Sequence, residues 1–247
     1  STSLGCRDTA TKEITVRPSP TASFSINQNT QCFSENTFHF TNQSTFPKFG
    51  TLEKFAAFKW SFGDNSSSTD THAIKIYKTA DTFHVHLLSV AQNGCRDSVT
   101  KSVVVLESPV AKFAINDPSQ CQNEQEFIIN DLSTVPNDTI SQNTWILGTD
   151  TTTNTKQRTM NNLQPGTHNL QLIATTSKNC TDTATQQITV HPSPIASIKV
   201  NDTVQCFNEQ NFQITDQSSV QNDTISQNLW ILGTDTTRNK EQQTLNN

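Results

Sequence analysis

Charged residues are scarce in this chain of 247 residues: Lys, Arg, Asp and Glu make up 16% of it, and only 17 residues are basic. Nucleic-acid binding needs many Lys or Arg side chains to neutralise phosphates, and the chain has a net charge of −5 with no basic cluster. We therefore predict no nucleic-acid partner. No apolar run approaches the roughly 20 residues of a membrane-spanning helix, so no membrane contact by this segment is predicted.

Glycine and tyrosine are also scarce. Seven glycines leave little material for a catalytic loop, and no Ser-His-Asp, Cys-His or paired-carboxylate arrangement can be assembled. We therefore expect that the protein is not an enzyme. One Tyr and three Trp provide few rings for stacking on sugars. The remaining composition is rich in Thr, Ser, Asn and Gln with 32% apolar residues, which is typical of a β-rich, well-hydrated chain.

Cysteines recur at fixed spacing. The first series is Cys6, Cys95 and Cys180, with spacings of 89 and 85 residues, and the second series, with the same two spacings, is Cys32, Cys121 and Cys206. This periodicity indicates a tandem array. The absence of any C-x-x-C pair, and of any His at ligand spacing from a cysteine, favours disulfides over zinc and hence an oxidising, extracellular location.

Proline segments separate the repeats. PSPTASF (18–24), SPVAKF (108–113) and PSPIASI (192–198) each follow a β-rich stretch, and proline cannot join a strand ladder. The predicted domain organisation is the C-terminal hairpin of a preceding domain at 1–17, full domains at 18–107 and 108–191, and the N-terminal part of a further domain at 192–247.

Alternating apolar residues mark strands within each repeat. They occur in TFHFTN (37–42), FHVHLLSV (83–90), EFIIND (126–131), HNLQLIAT (168–175) and the closing segments ITV (14–16 and 188–190) and VVV (103–105). About seven short strands in roughly 85–90 residues, with no helical stretch, predict an all-β fold of tandem immunoglobulin-like β-sandwiches. Odd-stranded domains have their termini at opposite ends, so we expect the array to form an end-to-end rod.

A longer motif runs through 18–107 as WSFGDNSSS (60–68), HAIKIY (72–77) and FHVHL (83–87). It resembles the signature of the PKD family. The matching residues are Trp60, Phe62, Gly63, Asp64, His72, Tyr77, Val85 and Leu87, whereas Phe83 stands where the family has Tyr and Ala80-Asp81 where it has a Gly turn. The next domain keeps Trp145 but has WILGTD in place of WSFGD, so it is PKD-like mainly through its register with the first. We expect each Trp to lie in a core.

Residues 137–162 and 222–247 are identical at 20 of 26 positions, including NDTISQN and WILGTDTT. Core packing does not require polar surface residues to match, so recent duplication in a long array is indicated. Such arrays with cysteine corners are similar to the very long cell-surface adhesins of Bacteroidota that are exported by type IX secretion, gliding adhesins among them. The resemblance implies a structural, adhesive fibre that binds a surface polysaccharide or other cell-surface ligand. The alternative is a carbohydrate-binding accessory array of a secreted polysaccharide-degrading enzyme.

The corner cysteines follow Gly94 or Asn179, which suit a left-handed turn in the last hairpin. In a seven-stranded sandwich this hairpin lies at the end opposite the loop with Cys32 or Cys121. Strands of about eight residues at roughly 3.3 Å each separate those ends by more than about 20 Å, whereas disulfide-linked Cα atoms lie within about 7 Å. We therefore favour an inter-domain disulfide between Cys32 and Cys180. The within-domain alternative pairs Cys32 with Cys95 and Cys121 with Cys180, if the loop folds back.

Two weaker patterns suggest a metal and a modification. Asp64, Asp70 and Asp150 lie in loops where carboxylates can surround calcium, although turn hydrogen bonds account for them equally well, and no other cofactor is predicted. Asp followed by Ser or Thr and an apolar residue resembles the O-glycosylation acceptor pattern of Bacteroidota secreted proteins. The acceptors implied by this resemblance are Thr9, Ser98, Thr139, Thr183, Thr203 and Thr224.

Overall fold

The computed structural model describes residues 3–5, 7–46, 54–209, 211–238 and 242–246. The chain forms two compact units, one built on residues 1–108 with 136–138 and the other on the remaining residues from 109 onward. No helix in the described ranges is both long enough and apolar enough to cross a membrane.

The first unit contains one complete β-sandwich, called here the first sandwich. Its strands are β1 (Phe24–Ile26), β2 (Thr30–Cys32), β3 (Phe38–Asn42), β4 (Phe55–Ser61), β5 (Ser67–Ser68), β6 (Ala73–Lys75), β7 (Thr82–Ala91) and β8 (Arg96–Leu106), with a 3-10 turn at Phe33–Glu35. One sheet has the order β1-β3-β6 and the other the order β2-β8-β7-β4-β5.

The second unit contains an equivalent sandwich, called the second sandwich. Its strands are β9 (Phe113–Ile115), β10 (Ser119–Cys121), β11 (Phe127–Asp131), β12 (Ile140–Leu147), β13 (Asp150–Thr153), β14 (Gln157–Met160), β15 (Gly166–Thr176) and β16 (Thr181–His191). The sheets have the orders β14-β11-β9 and β10-β16-β15-β12-β13. The repeat then begins again with β17 (Ile198–Val200), a 3-10 turn (Phe207–Glu209), β18 (Asn211–Asp216), β19 (Leu229–Leu232), β20 (Asp235–Arg238) and β21 (Gln242–Asn246).

A tryptophan lies at the centre of each core. Trp60 is 1% exposed, packs edge-on against Phe24 at 5.2 Å, and donates its indole N–H to the backbone oxygen of Asp70. Trp145 is fully buried and is held in the same way by Phe113 at 5.3 Å and by the backbone oxygen of Thr155. A buried indole needs a partner for its N–H, and both cores supply one. The predicted tandem immunoglobulin-like sandwiches with core tryptophans are confirmed.

The opening strand of each sandwich changes sheets, and this differs from the predicted seven strands. In the first sandwich β1 pairs antiparallel with β3, whereas β2 runs parallel to β8, with Cys32 opposite Leu106. In the second, β9 pairs with β11 and β10 runs parallel to β16, with Cys121 opposite His191. The opening segment thus forms two short strands, which makes eight in each complete sandwich.

Side-chain amides hold the crossing point. Asn27 donates to the backbone oxygen of Thr37 and accepts from the backbone N–H of His39, and the amide of Gln31 pairs with both backbone groups of Thr37. The second sandwich repeats these bonds with Asn116 and Gln120, and the third repeat with Asn201 and Gln205. Backbone groups that leave one sheet before joining the other are satisfied in this way.

One predicted strand is not formed. The segment 14–16 (ITV) lies outside any sheet, and Ile14 and Val16 are 85% and 90% exposed. A strand is stabilised by bonds to a neighbouring strand, and no described strand pairs with this segment. The other predicted strand segments lie in β3, β7, β8, β11, β15 and β16.

We expect Gln125→Ala to destabilise the second unit by about 2–3 kcal/mol. The buried amide of Gln125 donates to the backbone oxygens of Gln122 and Leu163 and accepts from the backbone N–H of Leu163, so its removal leaves buried backbone groups without partners. Urea unfolding followed by circular dichroism measures the effect. The exposed Gln186→Ala is the control, with a change expected within about 0.5 kcal/mol, and equal effects of the two would contradict the role of the amide.

Candidate functional site at the two ends of each sandwich

The hairpin corner lies at the N-terminal end of each sandwich. Gly94 and Asn179 adopt the predicted left-handed conformation, with φ of 88° and 65°. The following cysteines are fixed by hydrogen bonds, from the Cys95 N–H to the side chain of Asn93 and from the Cys180 N–H to the hydroxyl of Thr176. Each corner cysteine is therefore held on a hydrogen-bonded turn.

The aspartate two residues after each cysteine holds the proline segment in place. Asp97 accepts a hydrogen bond of 2.8 Å from the backbone N–H of Ala22, and Asp182 accepts one of 2.8 Å from Ala111. In the first sandwich Asn93 also donates to the backbone oxygen of Pro18. The start of each domain is thus tied to its own corner. Sequence reasoning treated these aspartates only as part of a glycosylation pattern; the recurrence of an aspartate two residues after each corner cysteine was the available signal.

The C-terminal end carries the other cysteine series and its own tie. Ser108, just after β8, accepts from the backbone N–H of Ser34 at 2.9 Å and donates to its hydroxyl at 3.1 Å. Ser193 after β16 makes the equivalent pair of bonds with Asn123. The loop after Cys32 or Cys121 is therefore fixed to the segment by which the chain leaves the sandwich.

The cysteines differ in oxidation state. Cys32 and Cys180 are disulfide-bonded, whereas Cys95, Cys121 and Cys206 are free thiols; Cys6 lies outside the described residues.

The within-domain alternative is wrong. It requires bonds at Cys95 and Cys121, and it also conflicts with the strand register, since Cys32 lies beside Leu106 while Cys95 precedes the other end of the same strand, β8. At about 3.3 Å per residue, β8 separates them by more than about 30 Å, far beyond the roughly 7 Å of a disulfide.

The residues of the PKD-like motif serve the core. Tyr77 stacks on Phe83 with ring centroids 3.8 Å apart and donates its hydroxyl to the backbone oxygen of Phe62 at 2.8 Å. Burial, assisted by the charge of Asp64, raises the pKa of Tyr77 above its ordinary value. Gly63 has a φ of 82°, and a Cβ there would lie 2.9 Å from the backbone nitrogen of His84, so only glycine fits. The motif therefore builds the fold.

The three calcium candidates already have polar partners. Asp64 forms an ion pair with Lys75 at 2.5 Å and accepts from Ser66, Asp70 accepts from the hydroxyl of Ser68, and Asp150 forms an ion pair with Arg158. No group of three or more His, Cys, Asp and Glu side chains that could hold a metal ion occurs in the part of the chain that the structure describes. The structure does not bring these aspartates together as a calcium site.

The six predicted glycosylation acceptors share one property, since the residue at each position is exposed. Ser98 and Thr183 lie on β8 and β16, each directly after the aspartate that ties down the proline segment. Exposure is what an enzyme that modifies a folded protein requires. Glycosylation at these positions stays a prediction.

We expect the ion pair of Asp64 to make the first unit sensitive to acid. Burial opposes ionisation, but hydrogen bonds from Lys75 and Ser66 outweigh it and hold the pKa of Asp64 below its ordinary value of 3.8. Because the pKa is lowered on folding, the stabilisation is present above pH 3.8 and is lost as the pH falls through the lower, folded value. The difference in melting temperature between wild type and Asp64→Asn should therefore be largest at neutral pH and shrink in acid. A constant difference, or an equal one for Asp70→Asn, would contradict this.

No protein-family model and no curated protein sequence matches this chain. Among solved structures it is similar to the PKD1 domain of Vibrio anguillarum Epp, with 18% identity over 36% of this chain and 94% of that one and a TM-score of 0.31. It is also similar to the PKD1 domain of the Vibrio cholerae metalloprotease PrtV, with 19% identity over 36% of this chain and 98% of that one and a TM-score of 0.31. For the fibronectin(III)-like modules of Clostridium thermocellum CbhA the identity is 13% over 68% of this chain and 94% of that one, with a TM-score of 0.35. The immunoglobulin-like assignment rests on the sheets and register described above.

Proposed function

We propose that this chain is a structural and adhesive repeat segment of a long secreted cell-surface fibre. The main supporting observation is that the same hydrogen bonds recur at both ends of successive sandwiches. An aspartate binds the segment that enters each sandwich, and a serine in the segment that leaves it binds the loop after the cysteine. These ties recur where consecutive repeats are joined, which suits an array that lengthens by repetition.

An extracellular location is part of the proposal. Disulfides persist in oxidising compartments, and Cys32 and Cys180 are disulfide-bonded. The low charge and the abundance of Thr, Ser, Asn and Gln are consistent with a long hydrated fibre.

The proposed fibre has a disulfide between Cys32 and Cys180, so that neighbouring domains are joined covalently as well as by the main chain. Two observations support it: among the cysteines that the structure describes, Cys32 and Cys180 are the disulfide-bonded ones, and the register within each sandwich separates them from their within-domain alternatives. The loop closed by such a bond is long, and in the chain-entropy model its closure stabilises the fold by about 4–5 kcal/mol.

The proposed segment is not catalytic. The carboxylates of Asp64, Asp97, Asp150 and Asp182 have structural partners. The alternative, an accessory array that binds sugars by aromatic stacking, is disfavoured by the position of the tryptophans. Trp60, Trp145 and Trp230 are 1%, 0% and 9% exposed, so their rings are not presented to a ligand.

The type of adhesin is proposed from the resemblance seen in the sequence. We place the segment in a Bacteroidota adhesin of the SprB type, exported by type IX secretion and used in attachment or gliding. The near-identity of 137–162 and 222–247 supports an array in which copies of one unit were added recently.

Non-reducing peptide mapping tests the disulfide. We expect a crosslinked peptide pair containing Cys32 and Cys180 that disappears on reduction, while alkylation before reduction labels Cys95 and Cys121. Cys32→Ser should abolish the crosslink and lower the unfolding temperature, and Cys206→Ser is the matched control. Recovery of Cys32 linked to Cys95 would overturn the scheme.

The fibre function is tested in the cell that makes the protein. Antibodies against residues 18–191 should label intact cells, and an in-frame deletion of 18–191 should reduce attachment while the truncated protein still reaches the surface. Surface labelling of an epitope tag in both strains controls for export. A protein found only inside cells, or attachment unchanged by the deletion, would contradict the proposal.

A further inference from the structure

The five-stranded sheet of the second sandwich has one face on the core and one in solvent. Along β15, the buried residues Leu170, Leu172 and Ala174 alternate with Asn169, Gln171 and Ile173, which point outward. Strand alternation and register then place the outward residues of four neighbouring strands in rows.

Two central rows cross this face. One row consists of Thr153, Thr144, Ile173 and Thr183. The next consists of Thr151, Ile146, Gln171 and Thr185. Two shorter rows flank the central ones, Asn169 with Gln187 on one side and Thr175 with Thr181 on the other. We call the outward surface made by these residues of β12, β13, β15 and β16 the neutral face, because it contains no charged side chain.

The absence of charge distinguishes this face from its counterpart in the first sandwich, which has Lys59 and Arg96. The neutral face offers instead hydroxyl and amide groups, each of which both donates and accepts hydrogen bonds. Between them lie the threonine methyl groups and the half-buried Ile146 and Ile173.

These properties select one class of ligand. A nucleic acid or a polyanionic polysaccharide needs basic side chains. Protein interfaces depend on buried Trp, Tyr or Arg anchors, and the neutral face has none of these. A neutral polysaccharide is complementary, because it is an uncharged polymer that presents hydroxyl groups and apolar C–H groups at a regular repeat.

We propose that the neutral face of the second sandwich is a binding site for a neutral polysaccharide. The polysaccharide lies across the strands and forms hydrogen bonds with Thr183, Thr185 and Gln171. Its C–H groups pack over Ile146 and Ile173. This inference rests on the proposed adhesive function and gives that function a ligand class and a position.

Affinity electrophoresis tests the site with four probes: dextran, xyloglucan and mixed-linkage β-glucan as neutral polysaccharides, and alginate as the anionic one. The whole protein is used, after its intact mass shows that it carries no glycan. We expect at least one neutral polysaccharide to retard the wild type and alginate to have no effect. Thr183→Lys/Thr185→Lys should weaken the retardation about tenfold or more, measured as the apparent Kd.

The matched control is Ser98→Lys/Thr100→Lys, which makes the same change at the equivalent positions of β8 and should alter Kd by less than about twofold. Retardation by alginate alone, no retardation by any neutral probe, or equal loss in both double variants would overturn the proposal. Sedimentation velocity tests whether a second copy of the protein binds the neutral face instead. Self-association that the Thr183→Lys/Thr185→Lys variant abolishes would show an interface between copies and would overturn the proposal. A failure of this binding proposal would not decide the fibre function, which the deletion of 18–191 tests separately.

Discussion

The change of sheet by the first strand is the constraint on which the rest of each sandwich depends. Because β1 belongs to one sheet and β2 to the other, this short segment forms an edge strand of both sheets. The crossing leaves backbone groups that neither sheet can satisfy, and the amides of Asn27 and Gln31 satisfy them. The same step carries Cys32 to the end of the domain from which the main chain leaves. The position of one cysteine series therefore follows from the path of the strand.

Much of this arrangement could be predicted from the sequence. Alternation in FHVHLLSV identified a strand because its apolar residues have a period of two, and Gly94 and Asn179 identified the corner because few other residues adopt a left-handed turn. The split of the opening strand could not be predicted, since strands of three residues are too short for a periodic signal. The ties made by Asp97 and Asp182 were also missed, because they join residues about 70 positions apart, and only the fold brings these together.

The two complete sandwiches close their N-terminal ends differently. In the first, the rings of Phe58 and Phe55 pack at a tilt with centroids 4.8 Å apart, and those of Phe55 and Phe46 do so at 4.4 Å, which extends the core toward that end. In the second, Asn143 occupies the position of Phe58 and donates to Asp131. The two repeat spacings, 89 and 85 residues, differ because of the connection between β3 and β4, which is longer than the equivalent connection between β11 and β12. A change of loop length has thus accompanied a change from an apolar to a polar closure, while the sheets kept their order.

The parallel pairing of β2 with β8 has a mechanical consequence. Both strands run toward the same end of the domain, and three residue pairs join them, from Thr30 with Val104 to Cys32 with Leu106. Tension applied between the two ends of the chain pulls β2 backward and β8 forward along their common axis. The hydrogen bonds between them are then loaded in shear and must break together, whereas bonds peeled from one end break in turn. A short parallel ladder at this edge can therefore resist stretching well beyond what its length suggests.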